Sequence, residues 1–162
     1  MTIKVGINGF GRIGRLTLRA AIDWPEVEFV HVNDVAADAK THAHLLEFDS
    51  VHGRLKYEVQ ADDNSFSVAK HTVKVTNNKS IAETDWSQCD VVIEASGKMK
   101  TTELLNAYLA QGVKRVVVTA PVKEKSVLNV VIGVNDHLYN PQLHKIVTAA
   151  SCTTNCLAPV VK

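Results

Sequence analysis

The chain has 162 residues and only three cysteines, Cys89, Cys152 and Cys156. So low and odd a count argues against a disulfide framework and for a reducing compartment. A structural zinc site wants about four Cys or His ligands at tight spacing. His42 and His44 lie far from any cysteine, so no metal is expected. Excess charge is also lacking: 18 Lys+Arg against 17 Asp+Glu leave +1. Such a balance gives nucleic acid nothing to bind. No apolar run approaches the roughly 18 residues of a membrane-spanning helix, which argues against a membrane partner. Met-Thr-Ile-Lys-Val-Gly leads directly into a strand pattern, so no signal peptide is expected. Repeats and low-complexity stretches are absent. What remains, 46% hydrophobic and 22% charged residues, has the balance of a globular domain, and the length suffices for a core.

Residues 2–8 alternate as a short strand does, and a glycine-rich turn, Gly9 to Gly14, follows. Ile13, Leu16, Leu18, Ala20, Ala21 and Trp24 place a helix over 12–24, stopped by Pro25. A strand at Phe29–Val32 and a helix over 38–47 complete a β-α-β-α start, the signature of a parallel sheet. Short β-rich pieces at 55–59, 66–69 and 72–76 suggest an antiparallel insertion. The α/β rhythm then resumes: strand 90–94, helix 101–110, and strands 115–119, 127–134 and 146–148. The expected fold is a doubly wound α/β domain, mostly parallel, with a small antiparallel insertion. Ser151 reads as the cap of a last helix. That helix is apolar, contains Pro159 and has no visible partner, so a truncated chain is expected.

Gly9-Phe10-Gly11-Arg12-Ile13-Gly14 is a GxGxxG between a strand and a helix. Gly9 permits the tight turn, Gly11 lets backbone approach a pyrophosphate, and Gly14 lets the helix pack closely on the strand. The helix start at Arg12-Ile13 offers free N–H groups to phosphates. The plain alternative is a structural glycine turn. Asp34 follows Gly14 by 20 residues, where a carboxylate accepts from ribose hydroxyls and repels a 2′-phosphate. The plain alternative is a solvated turn residue or a helix cap.

Ala150-Ser151-Cys152-Thr153-Thr154-Asn155-Cys156 puts a thiol at the first turn of a helix, where the dipole and orphan N–H groups favour a nucleophilic sulfur. Those donors also suit an oxyanion. A lone cysteine is more often an inert core residue. The polar neighbours and the position after a strand weigh toward a catalytic Cys152, while Cys156 reads as a packing residue. Ser96-Gly97 and Thr119 end two further strands at the same edge and fit either a cofactor lying close or ordinary turns. The loop 49–54 reads as a surface or inter-subunit loop.

The stretch Val5-Gly6-Ile7-Asn8-Gly9-Phe10-Gly11-Arg12-Ile13-Gly14-Arg15, with Ala150-Ser151-Cys152-Thr153-Thr154-Asn155-Cys156-Leu157-Ala158-Pro159, resembles the glyceraldehyde-3-phosphate dehydrogenases. Asp49-Ser50-Val51-His52-Gly53 and Gly133-Val134-Asn135 fit the same family, and the likeness runs the length of the chain. The resemblance implies the NAD-binding half of a homotetrameric cytoplasmic enzyme of glycolysis, with residues 1–150 as the NAD-binding domain and 151–162 as the start of a truncated catalytic domain. It implies Cys152 as the nucleophile on glyceraldehyde 3-phosphate. A thiohemiacetal forms, a hydride passes to NAD, and inorganic phosphate cleaves the resulting thioester to 1,3-bisphosphoglycerate. It assigns Arg12, Ile13 and Asp34 to NAD, and Ser151 and Thr153 to substrate or phosphate. Thr119 stands where the family usually has a cofactor-contacting Ser. Lys79 is nearest to an Arg that approaches the adenine.

Ala95-Ser96-Gly97 replaces the usual Ser-Thr-Gly, Lys98-Met99-Lys100 the usual Val-Phe-Thr, and Ala149-Ala150 the usual Asn-Ala. These changes resemble a branch associated with arsenate resistance, where arsenate replaces phosphate and gives 1-arseno-3-phosphoglycerate. A non-enzymatic NAD-binding module is a further alternative. The family's general base, a histidine after the nucleophile, has no counterpart here, so the chain alone is expected to be incomplete and inactive.

Overall fold

A computed structural model describes residues 2–162. Eleven strands and four α-helices follow in chain order. They are β1 (Ile3–Asn8), α1 (Arg12–Ala21), β2 (Val27–Asn33), α2 (Ala39–Glu47), β3 (Phe48–Asp49), β4 (Gly53–Arg54), β5 (Val59–Ala61) and β6 (Ser65–Val68). Then come β7 (His71–Thr76), β8 (Val91–Glu94), α3 (Thr102–Ala110), β9 (Arg115–Val118), β10 (Leu128–Asn129), β11 (Ile146–Thr148) and α4 (Cys152–Val161). Nine strands form one sheet in the order β10-β11-β9-β8-β1-β2-β7-β6-β5. It is parallel from β10 to β7, and β6 and β5 add antiparallel strands at one edge. This is the doubly wound α/β architecture expected from the alternating pattern.

The periodicity explains the two cores. Val5 and Ile7 of β1 pack with Leu18, Phe29, Leu46 and Phe66 on one face. Val92, Val116 and Val118 pack with Trp86, Leu105 and Tyr108 on the other. Gly6 belongs to the second face, where an added Cβ would lie 2.9 Å from the Trp86 ring. α2 is capped by Asp38, whose Oδ1 accepts from Thr41 N at 2.8 Å, and α3 by Thr101.

Several expectations need correction. The β-rich middle joins the main sheet: β7 pairs in parallel with β2, and β6 and β5 add the expected antiparallel piece at its edge. Its first strand begins at Val59, because Leu55 N instead bonds Glu47 O at the end of α2. A separate two-stranded hairpin, β3–β4, turns on Asp49, whose Oδ1 accepts from Val51 N and His52 N. α1 ends at Ala21, and Trp24, in the turn beyond, is exposed. The strand expected over 127–134 shrinks to Leu128–Asn129. Asn135 Oδ1 captures Val131 N at 2.7 Å, and Gly133 at φ 77° turns the chain away.

His31 of β2 is buried, stacks on Trp86 at 4.8 Å between centroids, and shares a hydrogen bond with Thr76. Burial, reinforced by Lys74, pushes its pKa from the ordinary 6.5 down to about 4, although Asp85 opposes the shift. The unfolded chain therefore binds this proton at a higher pH than the folded chain does. The stability contributed by the neutral ring is whole above pH 6.5 and is lost as pH falls toward about 4. Thermal melting from neutral to acid pH should show this loss, with a shallower slope over the window in His31→Gln.

Candidate functional site

In a parallel sheet, ligands gather outside the carboxyl ends of the strands where the strand order reverses. Here β1 lies between β2 and β8, and a cleft of about 390 Å³ opens at their ends. Its walls come from the glycine turn (Gly9, Gly11), the end of β2 (Asn33, Asp34, Val35), the 78–79 loop and the 95–99 loop.

Sterics shape the glycine turn. Gly9 has φ +92°, and a Cβ there would sit 2.4 Å from Ser96 N. A Cβ on Gly14 would lie 2.2 Å from Gly9 O. Both positions exclude side chains because backbone meets backbone. Gly11 differs: a Cβ would meet nothing within 4 Å. The fold tolerates a side chain there, yet the position borders the cleft, so what its bareness preserves is open space. Gly11 is also the N-cap of α1 and offers no side-chain cap, and the first turn carries no acidic residue. Among the described residues nothing accepts from the N–H groups of Arg12, Ile13 or Gly14. These free donors at the positive end of a helix suit an anion.

Asp34 ties the turn to β2. Its Oδ2 accepts from Phe10 N at 2.6 Å and its Oδ1 from Ala36 N at 2.8 Å. Each oxygen keeps lone-pair capacity for a hydroxyl donor. Asp34 is not spent as a helix cap, since Asp38 fills that place on α2. Arg15 Nη1 donates to Phe10 O at 2.9 Å and braces the same loop from the helix side.

The structure brings Gly9, Gly11, Asp34, Lys79 and Ser96 into one cleft. Arg12 and Ile13 supply the start of α1 while their side chains stay exposed, and Arg12 lies 3.9 Å from Asp49. Gly97 and Thr119 stand at the same sheet edge but outside the cleft lining, with Thr119 N bonded to Glu94 O at 2.9 Å. Sequence reasoning missed Asn8, Asn33 and Asn78 as wall residues. The signal was available in Asn8 and Asn33, polar residues at the carboxyl ends of adjacent strands.

Cys152 is the first residue of α4, behind the cap Ser151, whose Oγ accepts from Thr154 N at 3.0 Å. Asn155 Nδ2 donates to the carbonyls of Ala149 and Ser151 and ties the helix start to the strand end. Ala150, just before, takes φ +54°, a strained position for a residue with a Cβ. β11 lies three strands from β1, about 14 Å away at normal strand spacing. The thiol thus stands at the same edge as the cleft, exposed rather than in a core. Cys156 is exposed too, which corrects the packing role expected of it: α4 buries none of its residues. Cys89 is the buried thiol, and burial pushes it up to about 11. Among the described residues no three His, Cys, Asp or Glu side chains gather as metal ligands, and no helix is long and apolar enough to cross a membrane.

A family model described as "Glyceraldehyde 3-phosphate dehydrogenase, NAD binding domain" matches residues 3–102. The whole chain is 52% identical to glyceraldehyde-3-phosphate dehydrogenase 3 of Nostoc sp., covering 48% of that protein. It is 44% identical to the glyceraldehyde-3-phosphate dehydrogenase of Geobacillus stearothermophilus, again over the full chain and 48% of the relative. A third, from Mycoplasma pneumoniae, is 45% identical over 99% of the chain and 48% of its own length. The chain thus spans about half the length of the curated relatives it matches.

Proposed function

The chain belongs to the glyceraldehyde-3-phosphate dehydrogenase family and its cofactor is NAD; on that premise we propose that it is the part of a phosphorylating aldehyde dehydrogenase that holds the dinucleotide and carries the nucleophile. The observation that carries this reading is the open Gly11 at an uncapped helix start, facing a cleft that also presents the Asp34 carboxylate. The pieces fit the group. Gly9, Gly11 and Gly14 shape the turn, the N–H groups of Arg12 and Ile13 receive the pyrophosphate, and Asp34 accepts from the ribose hydroxyls. Lys79 and Ser96 would flank the bound molecule, with Gly97 and Thr119 at the same sheet edge beyond the cleft lining.

When bound, NAD supplies a hydride acceptor. The chain's own residues do the remaining work. Cys152 attacks the aldehyde carbon of glyceraldehyde 3-phosphate and holds the acyl group as a thioester until inorganic phosphate cleaves it. Ser151 and Thr153 orient the substrate or the attacking phosphate, and the first-turn N–H groups of α4 steady the oxyanion. Residues 1–150 form the NAD-binding domain, and 151–162 begin the catalytic domain. The relatives are about twice as long, and the complete reaction is proposed for a protein of their length. The homo-oligomeric, tetrameric, cytoplasmic form is a proposal for the whole protein. Arsenate as the acceptor rests on the departures at Ala95 and Lys98–Lys100, and acceptor competition in the longer protein separates it from phosphate.

Calorimetric titration of the chain with NAD, with NADP as control, tests the cofactor reading, with NAD the tighter ligand. Asp34→Ala should weaken NAD about tenfold or more and narrow the preference over NADP; unchanged affinity and selectivity would contradict the ribose role. Alkylation with iodoacetamide at neutral pH tests the nucleophile. Cys152 should react faster than Cys156, though both are exposed, and buried Cys89 should be spared. Equal rates at Cys152 and Cys156 would favour a module that binds NAD without thiol chemistry.

A further inference from the structure

Glu94 ends β8 with 1% of its surface exposed. It lies behind the cleft rather than in its lining, and among the described residues no cation pairs with it. A buried carboxylate without a counter-charge is costly unless donors surround it. Four do. Oε1 accepts from Ser96 N at 2.8 Å and from Ser96 Oγ, and Oε2 accepts from Asn8 Nδ2 at 2.8 Å and Tyr108 OH at 2.6 Å.

The chain of bonds continues in one direction. Asn8 has its amide nitrogen committed to Glu94, so its Oδ1 faces Asn33 and accepts from Asn33 Nδ2 at 2.8 Å. That turns Asn33 Oδ1 toward the next wall, where it accepts from Thr76 Oγ1 and Asn78 N, both at 2.9 Å. One donor at each link points toward Glu94, while Asn33 Nδ2 also donates to Asn78 O at 3.0 Å and Asn8 Nδ2 to Tyr108 OH at 2.8 Å. The line links the ends of β1 and β2, the 78–79 loop and the 95–99 loop, all of which line the cleft.

We propose that Glu94 is a positioning residue for NAD: through Asn8, Asn33 and Ser96 it fixes the spacing and the hydrogen-bond polarity of the cleft walls. The proposal rests on the reading of the cleft as the NAD site. Its logic is that an acceptor-only group cannot be replaced by an amide of the same shape. In Glu94→Gln the new NH₂ must face either Asn8 or Ser96. Facing Asn8, it meets another donor, and flipping Asn8 and then Asn33 sets an NH₂ against Asn78 N. Facing Ser96, it meets the Ser96 N–H and releases the 95–99 wall. One wall is freed in either case. Moving the acceptor one link along removes the conflict. In the pair Asn8→Asp with Glu94→Gln, the carboxylate introduced on β1 would accept from Asn33, Tyr108 and the glutamine NH₂, while the glutamine oxygen accepts from Ser96.

The experiment is NAD calorimetry on the full chain as wild type, Glu94→Gln and the Asn8→Asp/Glu94→Gln pair, each checked by thermal melting. Wild type should bind NAD, Glu94→Gln should bind at least threefold more weakly, and the pair should recover threefold or more of the lost affinity or return it to wild type. A folded Glu94→Gln that binds within threefold of wild type overturns the proposal, as does a pair no better than the single variant. If Glu94→Gln alone fails to fold, a folded pair that binds NAD supports the proposal, and a pair that does not fold or does not bind overturns it. Failure of the wild type to bind NAD overturns the cleft reading, and this proposal with it.

Discussion

The tight apposition of the glycine turn to its neighbours is the constraint from which the site follows. The backbone of Gly9 runs against that of Ser96, and Gly14 against the carbonyl of Gly9, with no room for a Cβ at either place. This brings the start of α1 to the end of β1 and against the loop after β8. It leaves the first N–H groups of α1 uncommitted beside the cleft. Asp34 and Arg15 then hold Phe10 between them, by its N–H and its carbonyl respectively. A turn fixed from both sides presents its donors in one orientation, which is what a preorganised anion site requires.

The parallel sheet does the rest by geometry. Strands β2, β1, β8, β9 and β11 all end at one edge, so groups far apart in sequence arrive there together. Asp34, Ser96, Thr119 and Cys152 each follow one of these strands. The thiol owes its exposure to α4, a helix that buries no residue and is tied to the domain by Asn155 at its start and by Lys162 Nζ on Gly133 O at its end. The cleft residues thus sit on strand ends braced by a buried polar line, while the thiol sits on an element whose start is held by the Asn155 tether and the Ser151 cap.

Much of this was legible in the chain itself. Alternation in Ile3–Asn8, the glycine turn and the cap Ser151 all carry local signals that the tertiary structure did not override. Errors arose where a hydrogen bond from outside the run decided the backbone. Asn135 terminated a strand that the apolar run Val127–Val134 promised, and Leu55 N bonded Glu47 O where a strand was expected to begin. The site divided in the same way. Gly9, Gly11 and Asp34 were readable because one turn and a fixed spacing define them. Asn8 and Asn33 were readable as polar strand ends but passed over, while Asn78 and the Glu94–Tyr108 pair were not readable, because their meaning lies in contacts between residues up to 100 positions apart. Cys156 was read as a packing residue from its place one turn past Cys152, while only the tertiary arrangement tells whether a surface faces it.

The central claim is that free N–H groups at the start of α1, bared by Gly11, receive the diphosphate of NAD. Amide-resolved NMR of the isotope-labelled chain during an NAD titration tests it most directly. The account predicts that the Gly11, Arg12 and Ile13 amides shift among the most strongly of all and saturate together with those of Gly9 and Ser96. Saturable binding that leaves the amides of residues 11–13 unmoved would contradict it.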